Sequence, residues 1–124
     1  MSTFKNKHTF EKRQNESQRI QEKYPDRFAI IVEKSNSCKV LPEIDKNKYL
    51  VPKDLVVGQF TYILRKRLKI GKETSIFLFC NKMLPPTSIS LEHFLKDKQD
   101  PDGFYYFTYS GENTFGDSLS SYIL

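Results

Sequence analysis

The eight residues RFAIIVEK (27–34) constrain the fold more than any other part of this chain. Ile30, Ile31 and Val32 follow Phe28 and Ala29 without a polar break. A strand with one wet face alternates apolar and polar side chains, so an unbroken run needs cover on both faces. The run is too short for a buried helix, and its β-branched residues favour a strand. The chain is therefore expected to build a sheet around this strand, with other structure on both sides of it.

The neighbouring segments supply the rest. FEKRQNESQRIQEKY (10–24) has helix formers and only a thin apolar stripe: Ile20 and Tyr24 share a face, Phe10 stands alone, Thr9 can cap, and Pro25 ends the run. Such a helix docks at the periphery. KNKYLVPK (46–53) is strand-like but contains Pro52, which lacks a ladder N–H, so this strand belongs at a sheet edge. DLVVGQFTYILRKRLKIG (54–71) places Val57, Phe60, Ile63, Leu64 and Leu68 on one helical face, with Asp54 as the expected cap and Gly71 as the expected stop. TSIFLFCN (74–81) reads as a further buried strand and ISLEHFLKDK (89–98) as a short helix. QDPDG makes a turn into a last strand at 104–110. A strand pair, a helix across the sheet and further strands give an α+β, β-grasp arrangement.

At 124 residues the chain has the length of one domain, and no stretch reaches the ~20 apolar residues of a membrane span. MSTFKNKHTFEKRQNES lacks the apolar core of a signal peptide, and Cys38 and Cys80 make no disulfide framework, so a cytosolic compartment is expected. Cys80 lies in the apolar run SIFLFC and reads as a buried thiol; Cys38 reads as a loop thiol. The net charge of +5 is biased toward residues 1–27, which carry seven Lys and Arg against four Asp and Glu. That bias suits an acidic peptide, an anionic lipid surface, a microtubule or a nucleic acid, but no nucleic-acid motif accompanies it. GKET (71–74) lacks the leading glycine of a phosphate loop. His8 and His93 stand apart from any cysteine or carboxylate pair, so no catalytic centre, metal site or cofactor is expected.

FEKR, KYPDR, VEK, DKNKYLVP, VGQF, LRKRL, LPPT and a final YS followed by an aromatic-glycine pair occur in one order over residues 4–116. In these motifs the chain resembles the autophagy ubiquitin-like modifiers, the group of the GABA-receptor-associated protein and the microtubule-associated light chain. The resemblance implies a ubiquitin-like β-grasp with a four-stranded mixed sheet and two additional N-terminal helices, the first within residues 1–8. It divides the chain into a helical extension (1–26), a ubiquitin-like domain (27–116) and a propeptide (117–124). It also implies a monomer in solution that acts as a modifier and not as an enzyme.

By the same resemblance, a cysteine protease cuts after Gly116, and ATP-dependent activating and conjugating enzymes pass the freed carboxyl to phosphatidylethanolamine. The product sits on autophagosomal and vacuolar or lysosomal membranes. A glycine suits that position because a backbone without Cβ threads a narrow channel and exposes its carbonyl to a thiolate. Cargo receptors would dock an aromatic-x-x-aliphatic motif flanked by acids. The implied aromatic pocket is Glu16, Ile20, Ile31, Lys48 and Phe104. The implied aliphatic pocket is Tyr49, Leu50, Val51, Pro52, Leu55, Phe60 and Ile63. Arg27, Lys46 and Arg67 would meet the acids, and Phe77 and Phe79 would form a face for the protease or a second ligand. The chain departs from most relatives in Ala29, where they carry Pro, and Val56, where they carry Thr. Two other readings stand beside this one: an unconjugated adaptor with the same groove, and a basic microtubule or nucleic-acid binder.

Overall fold

The computed structural model describes residues 2–112. Eight elements run in the order α1 (Thr3–Lys7), α2 (Phe10–Lys23), β1 (Arg27–Lys34), β2 (Lys48–Pro52), α3 (Val57–Leu68), β3 (Phe77–Phe79), α4 (Leu91–Phe94) and β4 (Tyr105–Ser110). The strands form one mixed sheet in the order β2-β1-β4-β3. Within it β1 is antiparallel to β2 and parallel to β4, and β3 is antiparallel to β4.

The unbroken apolar run of β1 is explained by this order, because it fills an interior position and both its faces are covered. Phe28, Ile30 and Val32 join Phe60, Leu64 and Leu68 of α3 with Phe107 and Tyr109 of β4 in the main core. Phe60 holds this core together with edge contacts to Phe107 at 5.6 Å and to Tyr49 at 5.9 Å. On the opposite face Ile31 packs with Phe4 and Phe104, flanked by Ile20, Ala29 and Tyr106. Phe4 is the single buried residue of α1, so one aromatic side chain secures a five-residue helix.

α2 buries only Ser17 and lies at the periphery, as its thin stripe predicts. Polar bonds fix it in place. Asp102 is fully buried before β4 and accepts from Arg13 Nη1 at 2.6 Å, the Tyr106 hydroxyl at 2.5 Å and the Phe104 N–H at 2.9 Å. The Ser17 hydroxyl donates to the Asp102 carbonyl. Gly103 has φ +95°, and a Cβ there would collide with Ser17 Oγ, so this turn needs glycine for two separate reasons.

Two local expectations are corrected. Asp54 does not cap α3; Val56 occupies the cap position, and its N–H donates to Gln59 Oε1 at 3.0 Å. The Val57 and Gly58 N–H groups donate to the carbonyls of Ile89 and Thr87, so a neighbouring loop supplies acceptors that a capping side chain would otherwise provide. Gly71 does not end the helix: Lys69 adopts the left-handed conformation at φ 60°, and the Ile70 N–H closes back on the Arg65 carbonyl. Cys38, though in a loop, is buried, and its Sγ accepts from the Gly111 N–H at 3.4 Å.

Candidate functional site: a groove wrapped around the edge strand

β2 is an outer strand whose far edge pairs with no other strand among the described residues. Its pairing register sets which backbone groups point outward. The Val32 N–H donates to the Asn47 carbonyl and the Lys53 N–H to the Asp26 carbonyl, so residues 47, 49, 51 and 53 turn their polar groups toward β1. Lys48, Leu50 and Pro52 therefore direct theirs to the open edge. Pro52 brings no N–H there to leave unsatisfied, which is why proline is tolerated in this strand. Leu50 offers an N–H and a carbonyl at the centre of the edge that pair with no strand among the described residues.

A groove of roughly 740 Å³ follows this edge. The pleat divides its side chains between the two faces of the sheet. Toward α2 stand Ile20, Ala29, Lys48, Leu50 and Phe104; toward α3 stand Tyr49, Ile63, Lys66 and Arg67, and Lys46 lines it as well. Ile63 is exposed although it shares the apolar stripe of α3, because it sits where the helix overhangs the groove and not the core.

The residues singled out from the sequence fall in different places. Ile20, Lys48, Phe104, Tyr49, Leu50, Ile63, Lys46 and Arg67 line the groove itself. Glu16 adjoins it by bonding Lys48 Nζ at 2.6 Å. Ile31 lies beneath the opening, fully buried against Phe4 and Phe104, and Val51 and Phe60 belong to the core under the α3 side. Leu55 is half-buried against that core, and Pro52 is exposed at the strand end. Arg27 lies outside the groove and rests 5.8 Å from the ring centre of Tyr24. Phe77 and Phe79 sit on β3, at the other edge of the sheet; Phe77 is half-buried and Phe79 buried beside a separate hollow that Lys5, Tyr106 and Thr108 also line. Gly116 and residues 117–124 lie outside the described residues.

Charge is concentrated at the groove. Lys46, Lys48, Lys66 and Arg67 all border it. Lys48 is paired with Glu16, Lys66 sits 5.3 Å from the Tyr62 ring centre, and Arg67 donates to both oxygens of Asp45 at 2.8 and 3.2 Å. The hydrogen bond from Arg67 holds the Asp45 carboxyl below its ordinary value. Burial pushes the Tyr49 hydroxyl up to about 12, so it stays protonated near neutrality. Lys66 and Asp45 were not found from the sequence as parts of the site. Lys66 stands three residues after Ile63 and so shares its side of the helix, a spacing that was available to read. Asp45 lies in a loop, where no periodicity points to it.

An apolar groove along an unpaired strand edge, rimmed by cations, can receive an extended peptide as an additional strand. No described helix is long and apolar enough to cross a membrane, and no group of His, Cys, Asp or Glu side chains among the described residues could hold a metal ion.

Known proteins share both the sequence and the fold. Residues 12–116 match the family described as autophagy protein Atg8, ubiquitin like. Autophagy-related protein 8e of Arabidopsis thaliana is 56% identical over 117 residues, which is 94% of this chain and 95% of that protein. Autophagy-related protein 8 of Mycosarcoma maydis is 52% identical over 115 residues, 93% of this chain and 97% of that one. Among solved structures, Trypanosoma brucei ATG8 superposes with a TM-score of 0.83 at 40% identity, covering 89% of this chain and 94% of that one. Plasmodium falciparum Atg8, solved in complex with a Plasmodium falciparum Atg3 peptide, gives 0.81 at 33% identity, covering 90% and 98%. The four-stranded mixed sheet, the helix across it and the two helices that precede it are the ubiquitin-like fold of these proteins, and the chain belongs to the Atg8 family of autophagy proteins.

Proposed function

We propose that this chain is a membrane-conjugated modifier that recruits partners through the β2 groove. Cleavage after Gly116 frees a carboxyl group, which an ATP-dependent activating enzyme and a conjugating enzyme carry as thioesters to the amine of phosphatidylethanolamine. Residues 117–124 are the part removed, and residues 1–26 form an extension docked on the ubiquitin-like domain. Nothing in this reading requires the chain itself to catalyse a reaction. Membership of the family supports it, as does the position of Gly116 two residues after Thr114 in the terminal motif. That the Plasmodium relative was solved with an Atg3 peptide supports a conjugating enzyme among the partners.

Conjugation changes the solvent in which the domain resides. Two acyl chains arrive together, each buried CH₂ contributing about 0.8 kcal/mol, and two chains anchor stably where one binds marginally. A domain with no spanning helix among its described residues thereby becomes resident on autophagosomal and vacuolar or lysosomal membranes, and is cytoplasmic before conjugation. On the membrane it presents the groove to receptors with an aromatic-x-x-aliphatic motif flanked by acids. The aromatic side chain enters beside Ile20 and Phe104, the aliphatic one beside Tyr49 and Ile63, and the peptide backbone pairs with Leu50.

The observation that carries this reading is the groove: apolar on both sides of a free strand edge, with cations on its rim. Two variants test its two halves. Gly116→Ala should keep the fold and abolish the faster-migrating lipidated band in cells; persistence of that band rejects Gly116 as the attachment point. Tyr49→Ala with Leu50→Ala should abolish titration of an aromatic-x-x-aliphatic peptide while the protein still melts cooperatively. Undiminished binding removes the groove from the function.

A further inference from the structure

Arg67, the groove cation best suited to grip a carboxylate in two places, already holds one. Its Nε and Nη2 donate to Oδ1 and Oδ2 of Asp45, the forked geometry in which guanidinium recognises carboxylate. Asp45 comes from the loop before β2, and its side chain is 68% exposed. Backbone N–H groups of Asp45 and Lys46 also face its carboxylate, but Arg67 is the only side chain it bonds among the described residues. The second paired cation, Lys48, differs: its partner Glu16 is 29% exposed and rides on α2, which the Asp102 bonds fix in place. Asp45 is thus the more replaceable of the two internal anions.

We propose that Asp45 is a specificity-determining residue of the groove, an internal stand-in for the acidic flank of a docking peptide. The inference rests on the reading of the groove as a peptide site. An incoming carboxylate gains Arg67 only by displacing Asp45, so the net gain is the difference between two similar ion pairs and not a whole one. A peptide with a neutral flank leaves the Asp45 pair intact and loses nothing by it. The pair therefore compresses the advantage that acidic ligands would have over neutral ones and leaves the apolar pockets to set most of the affinity. Lys46, which makes no ion pair among the described residues, remains open to an acid throughout.

The arrangement predicts a gain on removing a charge. An exposed ion pair contributes little, so abolishing the competitor should tighten an acidic-flank peptide only by about one and a half- to fivefold. Asp45→Asn is compared with wild type by titration of two peptides at low salt, identical in their aromatic-x-x-aliphatic core and differing only in Glu or Gln flanks. The expected result is a gain for the Glu peptide alone, and its disappearance when Asp45→Asn is made on Arg67→Met. Glu43→Gln is the control for overall charge, since Glu43 pairs with Lys34 and not with Arg67. An equal gain from Glu43→Gln, or a gain that survives Arg67→Met, attributes the effect to the general field and overturns the inference while leaving the groove intact. No change with Asp45→Asn also overturns it alone. Failure of both peptides to bind the wild-type protein overturns the groove reading and this inference with it.

Discussion

Replacing Asp102 with alanine should cost more stability than any surface substitution in this protein. The carboxylate is fully buried, and one oxygen takes both the Arg13 guanidinium at 2.6 Å and the Tyr106 hydroxyl at 2.5 Å, while the other takes the Phe104 N–H at 2.9 Å. The Arg13 side chain is only 11% exposed, so the substitution strands a cation with little access to water. Breaking one side of a buried ion pair costs ~3–5 kcal/mol, against a total stability on the order of 5–15 kcal/mol for a domain. The hydroxyl and N–H lose an acceptor as well, but water entering the vacated space offsets part of that loss. With a urea m-value of about 2 kcal/mol/M, the midpoint should fall by roughly 2 M with the slope unchanged. Circular dichroism during urea titration gives both numbers. Arg13→Met combined with Asp102→Asn removes both charges, keeps an oxygen to accept from the Phe104 N–H and offers the Tyr106 hydroxyl an amide N–H to accept from, and should recover more than half of the loss. A midpoint shift for Asp102→Ala under about 0.5 M, or a double variant no better than the single one, would refute the claim that this ion pair fastens α2 to the domain.

Gly103→Ala combines a left-handed φ of +95° with a collision against Ser17 and should lower stability by ~1–3 kcal/mol; an unchanged melt would show that the turn relaxes freely. Burial pushes the Asp100 carboxyl up, but hydrogen bonds from Lys5 Nζ and the Asp102 N–H outweigh it and hold the group below its ordinary value. Its contribution is therefore complete above about pH 4 and is lost as pH falls through the lower folded value. Thermal melts of wild type and Asp100→Asn should differ at pH 6 and converge toward pH 2.5; a gap that stays constant contradicts the assignment. Burial pushes the Cys80 thiol up to about 11, whereas N–H groups of Gly111, Leu41 and Val40 overcome burial at Cys38 and draw it down. A brief alkylation pulse at pH 8 followed by peptide mass spectrometry should label Cys38 ahead of Cys80, and the reverse order would refute this difference.

The parts of the fold legible in the sequence are those with a repeating physical signal. The unbroken run at 27–34 marks β1 at its observed bounds, and Pro52 marks an edge strand because proline removes a ladder donor. The stripe of α3 is equally plain, but both its ends were misplaced, since the acceptors at one come from residues 87–89 and the turn at the other is made by Lys69. α1 has five residues and one buried side chain, too few for any period, and only the family motifs pointed to it. β3 shrinks from the expected 74–81 to Phe77–Phe79. The family motifs, and no periodicity, pointed to the residues along the groove, and nothing in the sequence pointed to its depth. Ile31, Val51 and Phe60 share strands or helices with the lining residues, and only the assembled sheet shows that they lie below it. Long-range polar pairs left no local trace at all: Arg13 meets Asp102 across 89 positions and Arg67 meets Asp45 across 22.

Intact-mass spectrometry of the chain isolated from membranes of its own cells addresses the proposed conjugation most directly. The expected species ends at Gly116 with the added mass of phosphatidylethanolamine and is lost when Gly116 is replaced by alanine. A membrane fraction without that species, alongside a soluble pool that still carries residues 117–124, would contradict the proposed conjugation.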